Sequence, residues 1–321
     1  MNKFLKRTLI FAMILLGIGI IICIICTAVG GAAFLNNMKT IVTEETNISE
    51  QLSNINFDGN ISLDNLQLQN GTIDCDFDND YSTHSGTFTD DSAADASDIQ
   101  DLHVDMGGGT CTITVSKDND FHVIGNSTGE YQYYTKSKTF YVTGFQQKNV
   151  SNLSQVIKDN HIEIQIPKDF EFQDISIELG AGEMTIDSLI CEKNISMEIG
   201  AGNVTVKELY AQDAEFEIGA GNLTVQNGTI EVGSFEVGLG NLIYAGNIEK
   251  DLSASCGMGN IELTLAENQK DHNYQLSCAM GNITVGRNDY SGAAFEQELD
   301  YDAKYTYTLD CAMGNIDVVF Q

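Results

Sequence analysis

The chain has 321 residues, eight cysteines, one proline and no tryptophan, and its 46 acidic against 16 basic side chains give a formal net charge of −30. A field of that sign repels phosphate backbones, so nucleic acid is excluded as a partner, and cations, basic proteins or plain solvation remain as uses for the charge. Outside the apolar N-terminal segment there is no Cys-x-x-Cys pair, and His84, His103, His122, His161 and His272 are scattered, which speaks against structural zinc.

Residues 1–8 form a short basic tail containing Lys3, Lys6 and Arg7, and no further charge appears until Lys39. Between them, residues 9–29 are almost continuously apolar. About 20 apolar residues span a bilayer as a helix, and the basic flank places the N-terminus in the cytoplasm. The expectation is one N-terminal transmembrane helix, a single-pass cell-membrane location and an extracellular C-terminal domain. A cleaved signal peptide is the rival reading, because Gly31-Ala32-Ala33 offers a cut site. The run exceeds the usual signal core of about 7–15 residues, which favours an uncleaved anchor.

Residues 30–100 are polar and acidic, and their composition predicts a linker or stalk. Within it, Asp74, Asp76 and Asp78 alternate like the opening of a calcium loop. The sixth position is Asn79 rather than Gly and the twelfth is Ser85 rather than Glu, so the pattern departs from that loop. No cofactor is expected, with calcium at these aspartates as the sole metal alternative.

From residue 101 the chain reads as all-β. Leu102 to Thr110 resembles a degenerate first copy of a phrase that returns later, and Tyr131–Tyr134 with Thr139–Val142 predicts a hairpin across Lys136-Ser137-Lys138. His161 to Ile166 alternates apolar and polar residues and should end at Pro167, which lacks a ladder donor. No segment here shows a helical period.

The phrase itself is Gly-x-Gly-Asn in a strand-like setting. Its second glycines are Gly182, Gly202, Gly221, Gly240, Gly259, Gly281 and Gly314, at steps of 20, 19, 19, 19, 22 and 33 residues. A fixed period of this size predicts a β-solenoid of stacked repeats of about 19–20 residues, spanning 101–321 with its regular copies in 175–321. Each Gly-Asn should make a corner, because glycine and asparagine tolerate backbone conformations closed to other residues. Asn203, Asn222, Asn241, Asn260, Asn282 and Asn315 should then stack as an amide ladder.

Alternation places Leu179, Ile199, Ile218, Val237, Cys256, Cys278 and Cys311 inside, the cysteines as buried free thiols. Two positions on stand Ala181, Ala201, Ala220, Leu239, Met258, Met280 and Met313. Small first members accompany large second ones, which predicts that both share one packed interior. Glu178, Glu198, Glu217 and Glu236 should face outward as a solvated acidic row. Paired catalytic carboxylates of glycosidase type are not isolated by such uniform acids, so no enzyme is expected.

The last step carries extra residues from Arg287 to Lys304, with Tyr290, Phe295 and Tyr301, and insertions in solenoids map to loops that often bind partners. The chain closes on Val318-Val319-Phe320-Gln321 without a polar cap. An open end rung predicts self-association or strand addition there.

Strand, proline and Gly-Ala-Gly-Asn ladder together resemble a bacterial family of β-strand-repeat domains, classed as adhesins of unknown function and related to the toastrack domains of envelope-stress proteins. The resemblance covers roughly 101–321. It implies a membrane-anchored surface module of a bacterial envelope, with no catalytic residues to carry over. The reading is a non-catalytic scaffold or adhesion-like module that binds an envelope protein or wall component. The alternative is an extracytoplasmic sensor in cell-envelope stress signalling, which would act through a membrane partner because the tail is too short to signal.

Overall fold

The computed structural model describes residues 67–73, 77–89, 93–291 and 294–321. The basic tail, the apolar segment 9–29 and most of the acidic stretch lie outside the described residues, and among those described no helix is long and apolar enough to cross a membrane. In chain order the strands are β1 (Gln67–Ile73), β2 (His84–Thr89), β3 (Ala94–Asp95), β4 (Asp101–Val115), β5 (Asp120–Lys136) and β6 (Thr139–Asn152). A short helix, α1 (Leu153–Asp159), precedes β7 (His161–Ile166), β8 (Glu171–Ile199), β9 (Asn203–Ile218), β10 (Asn222–Val237) and β11 (Asn241–Ile248). Then follow β12 (Leu252–Cys256), β13 (Asn260–Leu265), β14 (His272–Cys278), β15 (Asn282–Val285), β16 (Asn288–Ser291), β17 (Phe295–Leu299), β18 (Tyr305–Cys311) and β19 (Asn315–Phe320).

The middle of the molecule is a stack of parallel, in-register coils. β4 lies on β8, β8 on β9, β9 on β10, and β10 on both β11 and β12. The degenerate phrase at Leu102 is therefore a true first coil, with Leu102 opposite Ile175 and Ile113 opposite Ile186. Parallel register makes every interior position a column. Met184, Val204, Leu223, Leu242 and Ile261 form one of them and are buried. Met197, Phe216, Phe235 and Ala254 form another, in which the Phe216 and Phe235 rings stack at 4.9 Å. Where that column shrinks from Phe235 to Ala254, the neighbouring one grows from Val225 to Tyr244, and the Tyr244 ring packs 5.9 Å from Phe235. Volume compensation is thus real, but it acts between columns of the core.

Antiparallel strands close both ends. At the first end β6 and β7 lie parallel against β4, and β5 then pairs antiparallel with both of them. The expected hairpin is present, with Lys136 opposite Thr139 and Ser137 and Lys138 both at positive φ, the twist that suits a two-residue connection. Ile166 ends β7 before Pro167. α1 is an element the sequence did not announce, since seven residues are too few for a helical period to register. The sheet also begins inside the stretch expected to be linker. β2 pairs antiparallel with β5, and Tyr81 stacks 3.9 Å from Tyr134. A few aromatic rings dock this polar segment although its mean composition is that of a stalk.

The far end departs from sequence order. β18 lies between β12 and β14, and β19 lies between β13 and β15. The corner glycines accordingly stack as Gly182, Gly202, Gly221, Gly240, Gly259, Gly314 and Gly281. After β13 the chain skips a level, builds β14 and β15, turns back as the antiparallel strands β16 and β17, and fills the skipped level last. The C-terminal rung is therefore interior and bonded on both sides from Asn315 to Val318, which corrects the expectation that it ends the stack, while Val319, Phe320 and Gln321 ladder onto β13 alone.

A second correction concerns the paired side chains. Leu179, Ile199, Ile218, Val237, Cys256, Cys278 and Cys311 are buried as expected. Leu239, Met258, Met280 and Met313 are exposed, at 53%, 56%, 70% and 51%. The Gly-x-Gly bend interrupts the two-residue alternation, so a residue two positions beyond a buried one no longer shares its face.

Candidate binding surfaces

The corners combine two devices. Gly182 has φ +137°, a conformation that favours glycine. The other corner glycines are required by close approach. A Cβ on Gly221, Gly240, Gly259, Gly281 or Gly314 would collide with the carbonyl oxygen of the corner glycine in the adjacent coil. Among the described residues the corner asparagines do not adopt positive φ, so left-handed geometry is not their role.

Their role is the ladder. Asn222 Nδ2 donates to Asn203 Oδ1 at 2.7 Å, Asn241 to Asn222 at 2.7 Å, Asn260 to Asn241 at 2.8 Å and Asn315 to Asn260 at 2.8 Å. The jump from Asn260 to Asn315 follows the spatial order of the coils. Asn282, opposite Asn315, turns its amide instead to Thr284 Oγ1 at 3.2 Å. Beside the ladder runs a shallow groove of about 270 Å³, lined among others by Asn222, Thr224, Asn241, Ile243 and Glu262. It mixes amide, hydroxyl, carboxylate and methyl groups.

On another wall the glutamates stack as expected, with Glu198 opposite Glu217 and Glu217 opposite Glu236. Glu236 is exposed, whereas Glu178, Glu198 and Glu217 are partly buried and less solvated than an exposed row would be. Partial burial, with Glu178 and Glu217 alongside, pushes Glu198 up to about 7. Burial and the neighbouring carboxylates of Glu236 and Glu215 raise Glu217 as well. Like charges at strand spacing of ~4.8 Å disfavour full ionisation.

The insertion expected as a partner loop is the cap of the stack. β17 pairs antiparallel with β14, placing Phe295 opposite Cys278, and β16 places Tyr290 opposite Ile283. Tyr290, Phe295 and Tyr301 pack against the core, and the Tyr301 hydroxyl accepts from Gln269 Nε2 at 2.9 Å. Their aromatic surface is used within the chain. The calcium reading fares similarly at its described member. Asp78 is held by Lys136 Nζ at 2.6 Å and by the Asp80 amide at 3.0 Å, and these bonds keep its carboxyl below the usual range. Asp74 and Asp76 lie outside the described residues.

A polar cluster not anticipated from sequence sits where the skipped level is filled. The Tyr307 hydroxyl donates to the Ile248 carbonyl at 2.6 Å, and Glu267 Oε1 accepts from the Ile248 amide at 2.6 Å. His272 stacks on Tyr307 at 4.2 Å with Nδ1 3.3 Å from Glu267 Oε2, and burial lowers its pKa. Glu267 and His272 are near neighbours in sequence, and the out-of-order coil brings Tyr307, 40 residues beyond Glu267, onto them. The Tyr307 and Glu267 bonds run to the Ile248 backbone at the seam, and His272 packs on the Tyr307 ring, which makes the cluster a structural lock.

The sequence model of the family Toastrack DUF4097 matches residues 99–308, well over half of the chain. Among solved structures, the chain is similar to proteins described as putative adhesins. One from Bacteroides fragilis shows 15% identity and a TM-score of 0.39, over 74% of this chain and 97% of that one. One from Parabacteroides distasonis shows 12% identity and a TM-score of 0.36, over 75% and 98%. One from Parabacteroides merdae shows 13% identity and a TM-score of 0.37, over 74% and 95%. Among curated proteins none matches the chain. The all-β stack of in-register coils and the extent of the family match lead to one identification: the chain belongs to the Toastrack family of domains of unknown function.

Proposed function

We propose that this chain is a membrane-anchored, extracytoplasmic surface module that acts by contact, without catalysis, and presents its ladder face to another envelope component. The observation that carries the reading is the hydrogen-bonded column Asn203–Asn222–Asn241–Asn260–Asn315 with the groove beside it. It sets like groups at a strand repeat of ~4.8 Å along one wall. Such a surface suits an extended partner, a wall polymer or a protein edge, that can be read by several weak polar contacts in series. The apolar segment 9–29 supplies the anchor in this reading, and the acidic domain outside it favours cationic or neutral partners over phosphate-rich ones.

The test is crosslinking from the groove in intact cells. A photoreactive residue placed at Ile243, which is 42% exposed in the groove wall, is expected to capture a wall polymer or surface protein. The same group at exposed Lys193, away from the groove, is expected to capture much less. Equal capture at both positions would overturn the reading. Capture of a membrane histidine kinase at Ile243 would replace adhesion with envelope-stress sensing.

A further inference from the structure

The exposed sulfur side chains fall in one place. The Met258 amide donates to the Gly238 carbonyl at 2.8 Å, the Met313 amide to Gly257 at 2.7 Å and the Met280 amide to Ala312 at 2.8 Å. Met258, Met313 and Met280 therefore stand on three successive levels in that spatial order, although they are 55 and 33 residues apart along the chain. The out-of-order insertion of the last coil places Met313 between the other two. The same position elsewhere holds Ala181, Ala201, Ala220 and Leu239. Beyond Met280 the column ends, because Ala294 of the capping turn bonds to the Ala279 carbonyl at 2.8 Å.

We propose that Met258, Met313 and Met280 form a surface site for a soft monovalent cation, Cu(I) or Ag(I), held by three thioether sulfurs. Three arguments converge. Alanine at the same position satisfies the fold in earlier coils, so the long side chains, exposed at 56%, 51% and 70%, are not needed for packing. Leaving so much apolar surface in water forgoes about 25 cal/mol per Å². The spacing also fits. Trigonal coordination with sulfur–metal bonds of about 2.3 Å needs sulfurs about 4 Å apart, and stacked strands set adjacent anchoring backbones ~4.8 Å apart and those of Met258 and Met280, two levels apart, ~9.6 Å. Three rotatable bonds in each methionine let the outer two side chains lean over Met313 and bring the sulfurs together without moving the corner.

The donor set then selects the ion. Thioether sulfur is a neutral, soft ligand that prefers Cu(I) to calcium, magnesium or zinc. A net charge of −30 draws cations toward the surface in general. Cys256, Cys311 and Cys278 occupy the same three levels but lie inside the wall. The Cys256 and Cys311 thiols donate to the Gly259 and Gly314 carbonyls at 3.0 Å each, and Cys278 is buried. These thiols face the interior and are not part of the site. The inference is independent of the adhesion reading.

The experiment is anaerobic titration of the full-length protein in detergent with Cu(I), in competition with the chromophoric chelator bicinchoninate. Beyond what the Cys23 and Cys26 pair of the apolar segment takes up, the wild-type protein is expected to withhold one equivalent, with a sulfur-only shell in X-ray absorption. The triple variant Met258→Leu, Met280→Leu, Met313→Leu places at each position a residue already tolerated at Leu239, and is expected to melt like wild type and lose that equivalent. The triple variant Cys256→Val, Cys278→Val, Cys311→Val, which follows the precedent of Val237 at the same position, is expected to retain it. Should the cysteine variant fail to fold, the methionine variant decides alone. No such equivalent in wild type, retention after methionine replacement, or loss in a folded cysteine variant would each overturn the proposal.

Discussion

At each corner of the stack, Gly-Asn combines an exclusion with a bond. The glycine has no Cβ because the adjacent coil's carbonyl occupies that space, and the asparagine hydrogen-bonds the coil on either side of it. Asn241 both donates to Asn222 at 2.7 Å and accepts from Asn260 at 2.8 Å, whereas Asn203 accepts from Asn222 alone in the ladder. A hydrogen bond of this kind contributes about 1 kcal/mol net. Asn241→Ala is therefore expected to destabilise the domain by about 2 kcal/mol and Asn203→Ala by about 1 kcal/mol, read from denaturant midpoints at unchanged slope. Equal costs for the two would mean that the ladder contributes nothing and that each asparagine acts locally. The repeat was legible at this scale because period and residue type alone set the columns. The outward turn of Leu239, Met258, Met280 and Met313 was not. It depends on how the Gly-x-Gly bend resets alternation, and side-chain volume in the sequence is silent on that.

Among the elements, β18 and β19 have an unusual burden, since they enter a slot whose two walls are built earlier in the chain. Backbone ladders to β12, β13, β14 and β15 and the Tyr307 hydroxyl on the Ile248 carbonyl at 2.6 Å hold them there. The long last step in the sequence showed that something leaves the stack, but a length cannot say at which level the chain returns. That choice rests on contacts remote in sequence, such as the Thr306 amide on Asp251 Oδ1 at 2.9 Å and the three bonds of Asn273 to Tyr301 and Ala303. Removing residues 305–321 should do more than shorten a solenoid by one coil. It leaves two facing edges, β12–β13 and β14–β15, without partners, and unpaired edges recruit other chains. The truncated protein is expected to sediment as aggregates and to lose protease resistance from β12 onward. A monomeric product with only its last turns cleaved would show that the levels re-pair directly. Tyr307→Phe, which deletes one buried hydroxyl and leaves the Ile248 carbonyl short of a donor, is expected to cost about 1–3 kcal/mol in a melt.

Across the whole molecule, an acidic chain stacked in register must place carboxylates above one another, and stability then depends on how many of them ionise. Glu198 has an ordinary value of 4.5 and is pushed up to about 7 in the fold by burial and by Glu178 and Glu217. Below pH 4.5 it is protonated folded or unfolded and costs nothing. As pH rises through 7 the folded protein must hold an unfavourable charge that the unfolded chain carries freely. Glu217, Glu267 and Asp310 are raised in the same sense by burial. His272 opposes them. Burial lowers it from 6.5, so its contribution is present above that value and fades as pH falls. Asp78 and Asp118, lowered by hydrogen bonds to Lys136 and His122, lose their contribution only below 3.8. Several raised carboxylates against two imidazoles lowered by burial, His103 and His272, give a melting temperature that rises as pH is lowered from 8 toward 5 and falls again below 4. The decisive comparison is Glu198→Gln against wild type. The variant should be the more stable above pH 7, where it removes a stacked charge, and the advantage should vanish below pH 4.5, where wild type is neutral at that position too. The advantage is expected to be about 1 kcal/mol, since Glu198 is only partly buried and solvent screens its charge. An advantage that stays constant across this range would locate the effect in packing and not in charge.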